Sequence, residues 1–361
     1  MRHLPLLVLT CAALSLAACG DSGSDNKKTP AAPEPAAQDL GAIKTYLLDH
    51  TKRLQADVGK LRANAEAYHE LAGSTDFDSK RLLAEHRDEV AKLMTEAKAT
   101  FKDSNPAYEE MEGVVAGVPE LADYDVIIDA GGDASDPETA VPFSIKTEDG
   151  RIFKQPGNLF FLVESALYGT EPKFAAKGAE PDLDGDGRIS FGEALPDARF
   201  YLAATKEFES QAAELDAAAK KWSPTEQDAL TALVVMTPTM SEYFEAWKNS
   251  RFVAGDRATE KAFVSSSRLQ DIADILGGLE LIYANVETRI AEASPQQAKQ
   301  TGQSLSQLED FAARLRDQEA AGKKFTAEDA DTLGSEAQNR AEAIAGQITQ
   351  AAKQLNIELE S

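Results

Sequence analysis

The sequence has very little cysteine and histidine. Its two cysteines, Cys11 and Cys19, both lie near the amino terminus, and the whole chain has four histidines. If a leader is cleaved before Cys19 and that thiol is acylated, no disulfide framework and no thiol nucleophile remain. The His-Glu-x-x-His and Gly-x-Ser-x-Gly motifs of two large hydrolase classes are also missing. We therefore expect a protein that is not an enzyme.

Positive charge is also scarce. Lysine and arginine number 37 against 61 aspartates and glutamates, which gives a formal net charge of −24. A chain this acidic repels phosphate backbones and anionic lipid surfaces, so nucleic acid is not an expected partner. Cations are the ligands that such a balance favours.

One segment carries the full pattern of an EF-hand calcium loop. Residues 182–193 read DLDGDGRISFGE, with Gly187 at the sixth position, where the chain must turn sharply. The predicted calcium ligands are Asp182, Asp184, Asp186, the Arg188 carbonyl, Ser190 and Glu193. The alternative is an acidic turn that binds nothing. The loop is single and flanked by Pro181 and Pro196, so we expect a structural or weakly binding calcium site.

The amino terminus resembles a bacterial lipoprotein leader. A short charged start precedes an apolar stretch from Leu6 to Leu16 that is too short for a membrane anchor and typical of a signal peptide. Leu16-Ala-Ala-Cys19 resembles a lipobox, which predicts a signal peptide at residues 1–18 and lipid on Cys19. The alternative is an ordinary secretory signal. Residues 19–39 read as a flexible tether.

That leader predicts a location in the bacterial cell envelope. The protein would be anchored to a membrane by its lipid and would face the periplasm. Gly20 replaces the aspartate associated with inner-membrane retention in some bacteria, which favours the outer membrane.

Apolar spacing predicts an all-α protein. We expect helices from Leu40 to Lys102, a break at Asn105-Pro106, and a further helix through Val115. Further helices are predicted at 159–168, 196–221, 224–236, 239–250, 257–291, 295–320 and 326–358. A β-hairpin is predicted around Asp149-Gly150. The expected architecture is two antiparallel helical bundles, residues 40–195 and 196–361, with the hairpin and the calcium loop between them.

Four segments, Tyr108–Glu112, Asp125–Asp129, Glu164–Gly169 and Phe325–Asp329, together resemble motifs of the imelysin-like (EfeM/EfeO) periplasmic lipoproteins, which include components of bacterial iron uptake. Glu164-Ser-Ala-Leu-Tyr-Gly169 is similar to the end of the family's site helix. Tyr108-Glu-Glu-Met-Glu112 and Asp125-Val-Ile-Ile-Asp129 are similar to two further motifs, in the same order. Phe325-Thr-Ala-Glu-Asp329 resembles the start of its last helix. The similarity covers most of residues 40–358.

One position departs from the family pattern. The family's site helix carries His-x-x-Glu, and the histidine falls on Phe161 in this sequence, which cannot bind a metal. The resemblance implies a second metal site, such as one for iron, and the remaining candidates are His50, Glu112, Asp129 and Glu164. One histidine and three carboxylates form a reasonable transition-metal site if they converge. The alternative is that His50, Glu112 and Glu164 are solvated surface residues.

Two functions remain open at this stage. The first is a calcium-containing lipoprotein that captures a metal ion or small ligand in the envelope, as in iron acquisition. The second is a structural or interaction lipoprotein that docks an envelope protein and uses calcium only to stabilise its fold.

Overall fold

Long amphipathic helices account for most of the chain, as the apolar spacing predicts. The computed structural model describes residues 40–179 and 181–360. The predicted signal peptide, Cys19 and the tether lie outside the described residues. The helices are α1 (Gly41–Ser74), α2 (Ser79–Val115), α3 (Ala122–Asp125), α4 (Leu159–Tyr168), α5 (Ala198–Lys221), α6 (Glu226–Met236), α7 (Met240–Asn249), α8 (Arg251–Ala254), α9 (Arg268–Ala293), α10 (Pro295–Ala320) and α11 (Ala327–Gln354).

Short irregular pieces connect these helices. A π-helical turn, Val126–Ala130, follows α3 directly, and 3-10 turns lie at Pro172–Phe174, Thr237–Thr239 and Gly255–Arg257. The described residues contain one sheet, an antiparallel hairpin of β1 (Ser144–Lys146) and β2 (Ile152–Lys154). Gly150 has a φ of 84° in its turn, a conformation that favours glycine. The all-α class and the hairpin are therefore confirmed.

The helices pack as two groups joined along α2 and α9. In the first group α1 packs along α2 and α5, and α4 fills the space between α2 and α5. In the second group α9 packs on α6, α7 and α10, and α11 packs on α6, α7 and α10. The expected bundle boundary at residue 195 places α5 in the second group, whereas its contacts are with α1. Buried Thr51 of α1, for example, donates to Asp216 of α5 over 2.9 Å.

Helix α2 runs through Pro106, where the sequence predicts a break. Proline removes one backbone hydrogen bond and crowds the preceding turn. The neighbouring side chains offset this cost, since Ala107 and Tyr108 are fully buried. Asn105 also donates from Nδ2 to Asp271 of α9 over 2.7 Å. The non-helical φ and ψ inside α2 lie at His86 instead.

Helix α9 begins at Arg268, well after the predicted start at residue 257. Ser267 caps the helix by accepting a hydrogen bond from the Leu269 N–H. Residues 258–267 have no regular structure and connect the 3-10 turn Gly255–Arg257 to α9. We call residues 258–267 the strap.

Helix α6 also begins later than predicted, at Glu226, with Thr225 as its N-cap. Thr225 and Asp228 form a reciprocal capping box that leaves Pro224 outside the helix.

None of the helices within the described residues is long and apolar enough to cross a membrane.

Candidate metal centre

A cleft opens where α2, the π-helical turn, α7 and the strap meet. Its volume is about 550 Å³. Arg268 is the basic residue of the lining, and the carboxylates that line the cleft are Glu112, Asp125, Asp129, Asp133, Glu242 and Glu260. Phe161, Tyr243 and Phe263 supply aromatic walls. The cleft therefore combines an acidic interior with apolar sides.

Three buried carboxylates meet beside this cleft. Glu109 and Glu112 lie one helical turn apart on α2, and Asp129 comes from the π-helical turn. One oxygen of each lies within 4.8 Å of the others. The three residues are between 0 % and 8 % exposed, so water screens their charges poorly. We call Glu109, Glu112 and Asp129 the carboxylate cluster.

Several oxygens of the carboxylate cluster have no hydrogen-bond partner. Tyr243 donates its hydroxyl to Glu112 Oε1 over 2.9 Å, but Glu112 Oε2 and both oxygens of Glu109 receive no bond from the described residues. Burying a polar group without a partner is unfavourable, and a buried charge is more so. A cation placed between these oxygens would satisfy them.

Arg268 is the one basic side chain beside the cluster in the described part of the chain. Its guanidinium lies between the rings of Tyr243 and Phe263, at 4.4 Å and 4.1 Å from the two centroids. Nη1 donates to Asp271 over 3.1 Å and lies 3.6 Å from Glu109. Nη2 lies 4.0 Å from Asp129, and Nε has no hydrogen-bond acceptor in the part of the chain that the structure describes. One guanidinium therefore faces several carboxylates and hydrogen-bonds to one of them.

Burial opposes ionisation of these acids. Burial raises the pKa of Asp129 to about 7, although the charge of Arg268 lowers it. The pKa of Glu109 is raised well above its usual range by burial and by Asp271. Burial and the nearby Glu112 likewise raise the pKa of Asp125, whose carboxylate accepts the Tyr108 hydroxyl over 2.7 Å. The site therefore favours either bound protons or a bound cation.

Of the four candidates from the sequence, the structure brings two together. Glu112 and Asp129 belong to the carboxylate cluster. His50 lies elsewhere, with Nε2 at 2.5 Å from Glu110 and Nδ1 at 2.8 Å from the Tyr46 carbonyl. His50, Glu112, Asp129 and Glu164 are all buried, so none is a solvated surface residue.

Glu164 is turned towards the strap. Its Oε1 accepts hydrogen bonds from the Val264 and Ser265 N–H groups and from the Ser265 hydroxyl, over 2.7 to 3.0 Å. Burial raises the pKa of Glu164 to about 7, against the lowering effect of these donors. Phe161, one turn earlier on α4, lines the cleft with its ring.

Sequence reasoning missed Glu109 and Arg268. Glu109 belongs to the Tyr108–Glu112 motif, and its spacing of three from Glu112 places both on one helical face, which is a usable signal. Arg268 carries no such signal, because it reaches the cluster through a fold contact between α9 and α2.

Carboxylates also converge in the predicted calcium loop, away from the carboxylate cluster. Oxygens of Asp182, Asp184 and Glu193 lie within 4.8 Å of one another. Glu193 accepts backbone hydrogen bonds from Ser190, Asp184 and Leu183, which lower its pKa to about 2. Gly187 has a φ of 84°, as a sharp turn requires. Asp186, the third predicted aspartate ligand, is not part of this group, and its carboxylate accepts a hydrogen bond from the Arg188 N–H over 2.7 Å.

The surroundings of this loop differ from a helix–loop–helix unit. Within the described residues, the chain is non-helical from residue 175 to residue 197. Arg87 of α2 donates to the Asp182 carbonyl over 2.7 Å, and Lys98 donates to the Gly192 carbonyl. Ile189 and Phe191 remain exposed, at 54 % and 46 %.

The sequence of the chain matches a known protein family. The family model of imelysin, which also carries the name Peptidase M75, matches residues 42–350, and the chain therefore belongs to the imelysin family. Among solved structures, the chain is similar to an iron-regulated protein A precursor from Parabacteroides distasonis. The two share 14 % identity over 89 % of this chain and 96 % of that one, with a TM-score of 0.44. A search of curated protein sequences found no match.

Proposed function

We propose that this imelysin-family protein binds a metal ion in the cell envelope through Glu109, Glu112 and Asp129. One observation carries the proposal: oxygens of three buried carboxylates lie within 4.8 Å of one another, and several of these residues' oxygens have no hydrogen-bond partner among the described residues. An acidic cleft leads to them, with Glu242 and Glu260 among its lining residues.

The donor set favours a hard cation. Carboxylate oxygens suit Mg²⁺, Ca²⁺, Mn²⁺ and iron better than they suit soft metals such as Cu⁺. Within the described residues, the three histidines lie against other acids: His50 against Glu110, His69 against Glu148 and His86 against Glu89. The proposal extends to a role in iron acquisition, and the family resemblance is what supports this role.

Manganese titration tests the cleft site. Mn²⁺ binding followed by electron paramagnetic resonance should reveal a site that Glu112→Gln weakens by about tenfold or more, since one charged ligand is lost. Glu242→Gln is the matched control, because Glu242 lines the cleft but lies outside the carboxylate cluster. Equal Mn²⁺ affinity in wild type and Glu112→Gln would exclude this ligand set.

The proposal also includes a lipid anchor on Cys19, and it assigns no catalytic activity to the protein. Leu16-Ala-Ala-Cys19 supports acylation of Cys19. Radiolabelled palmitate should enter the wild-type protein in a bacterial host and be absent from Cys19→Ser. Labelling that persists in this variant would reject the anchor.

A structural lipoprotein stabilised by calcium is the second candidate. The geometry of Asp182, Asp184 and Glu193 favours calcium at the loop. Calorimetry should show Ca²⁺ binding at the loop that is lost in Glu193→Gln and retained in Glu112→Gln. If calcium binds at the loop and neither Mn²⁺ nor iron binds in the cleft, the structural function is the correct one.

A further inference from the structure

Glu164 is joined to the strap rather than to the carboxylate cluster. Its Oε1 accepts three hydrogen bonds, from Val264 N, Ser265 N and Ser265 Oγ. Hydrogen bonds to a buried carboxylate are among the stronger ones in proteins. Glu164 is 4 % exposed, so water cannot easily replace these donors.

The strap carries residues that form one wall of the cleft. Glu260, Ala262 and Phe263 line the cleft, and the Phe263 ring covers the Arg268 guanidinium at 4.1 Å. A small cavity of about 20 Å³ beneath the strap is lined by Asp129, Glu164 and Ser265, among others. The position of the strap therefore decides how closed the carboxylate cluster is on this side.

Backbone strain indicates that the strap is held in place by its contacts. Phe263 has a φ of 54°, a left-handed conformation that a bulky residue rarely adopts. Such a conformation persists where surrounding contacts fix it. The hydrogen bonds that Glu164 accepts fix the two residues that follow Phe263. In the first half of the strap, Lys261 pairs with Glu171, and Thr259 N donates to the Asn249 carbonyl.

From these contacts we infer that Glu164 is a positioning residue, which holds the strap over the metal site and slows the exchange of the bound ion. This inference rests on the proposed metal function. Glu164 fixes Val264 and Ser265, which place Phe263 against Arg268 beside Glu109 and Asp129. Glu164 does not itself bind the ion.

Hydrogen exchange and metal kinetics together test this role. In Glu164→Ala, amide exchange in residues 258–267 should accelerate by about tenfold, the factor that corresponds to about 1.4 kcal/mol of local stability. Dissociation of Mn²⁺ should accelerate, while the paramagnetic resonance spectrum of the bound ion stays unchanged. Glu164→Gln, which keeps a neutral acceptor, should give a smaller effect in the same direction.

A second variant tests the same contact if Glu164→Ala does not fold. Ser265→Ala removes the hydroxyl donor and leaves both backbone donors, so the fold is retained and strap exchange should rise modestly. The inference is overturned if strap exchange equals that of wild type in both variants. It is also overturned if Glu164→Gln alters the Mn²⁺ spectrum, since Glu164 would then be a ligand. If the wild-type protein binds no Mn²⁺ at the cleft, the proposed function fails, and hydrogen exchange still tests the strap contact.

Discussion

Asp274 on α9 is a carboxyl group whose burial works against the fold at neutral pH. Burial raises its pKa from 3.8 to about 6, although Gln270 donates to Oδ1 over 2.7 Å. Oδ2 has no partner. Because the folded pKa lies above the unfolded one, the native state binds the proton more tightly. The stabilising effect is complete below pH 3.8 and is lost as the pH rises through 6.

Replacing Asp274 with asparagine should remove this pH dependence. At pH 7.5 we expect Asp274→Asn to raise the free energy of unfolding by about 1–3 kcal/mol, and near pH 4 by little. Urea unfolding at both pH values measures the difference. Asp49→Asn on the exposed face of α1 is the control and should stay within about 0.5 kcal/mol of wild type. A gain at pH 7.5 that is no larger than the gain at pH 4 would contradict the assignment.

The candidate site shows how far residue-level prediction from sequence extends. Glu112 and Asp129 were found because they lie in segments that resemble motifs of the imelysin-like proteins. Glu164 was found in the same way, but its position in a motif does not reveal that its oxygen faces the strap. Arg268 could not be found, because its role depends on contacts between α9, α2 and the π-helical turn.

At the scale of elements, apolar periodicity located the long helices and failed where packing overrides local preference. Pro106 lies inside α2, and buried side chains offset its missing hydrogen bond. The prediction for the strap is wrong in the opposite sense, because a helix is predicted across residues 258–267 and the structure has none there. Glu164 and Glu171 hold that segment from outside, and a sequence window along the strap contains neither residue.

Two adjacent glycines on α9, Gly277 and Gly278, allow the effect of helix propensity on stability to be measured apart from the effect of helix packing. A Cβ on Gly278 would lie 2.3 Å from the Glu110 carbonyl oxygen of α2, whereas a Cβ on Gly277 would have no atom within 4 Å. Gly277→Ala should raise the free energy of unfolding by about 0.5–1 kcal/mol, since alanine favours the helix. Gly278→Ala should lower it by about 1–3 kcal/mol, because the backbones must move apart. Chemical unfolding of both variants measures this, and equal effects would rule out the close approach.

At the scale of the whole molecule, composition and periodicity were enough for the fold class. They did not place α5, because its apolar face gives no information on which helix it covers. Contacts such as that of Thr51 with Asp216 join residues far apart in the sequence. The grouping of helices therefore came from the structure.

The net charge of −24 gives a last prediction for the molecule as a whole. Repulsion among surface carboxylates destabilises a compact acidic protein, and salt screens it as the Debye length falls from about 30 Å to about 8 Å between 10 mM and 150 mM. Sodium chloride should therefore raise the melting temperature of wild type, Glu193→Gln and Glu112→Gln alike. An ion bound at a defined site adds stability by mass action, about 2.7 kcal/mol at 100 times its dissociation constant.

Differential scanning calorimetry at fixed ionic strength separates these two effects. The additional increase with Ca²⁺ should fall in Glu193→Gln, and the additional increase with Mn²⁺ should fall in Glu112→Gln. If both ions act on all three proteins as sodium does, charge screening alone accounts for the stabilisation. A loss confined to the matching variant instead assigns each increase to its own carboxylates, because screening does not depend on any single one of the 61 acidic residues.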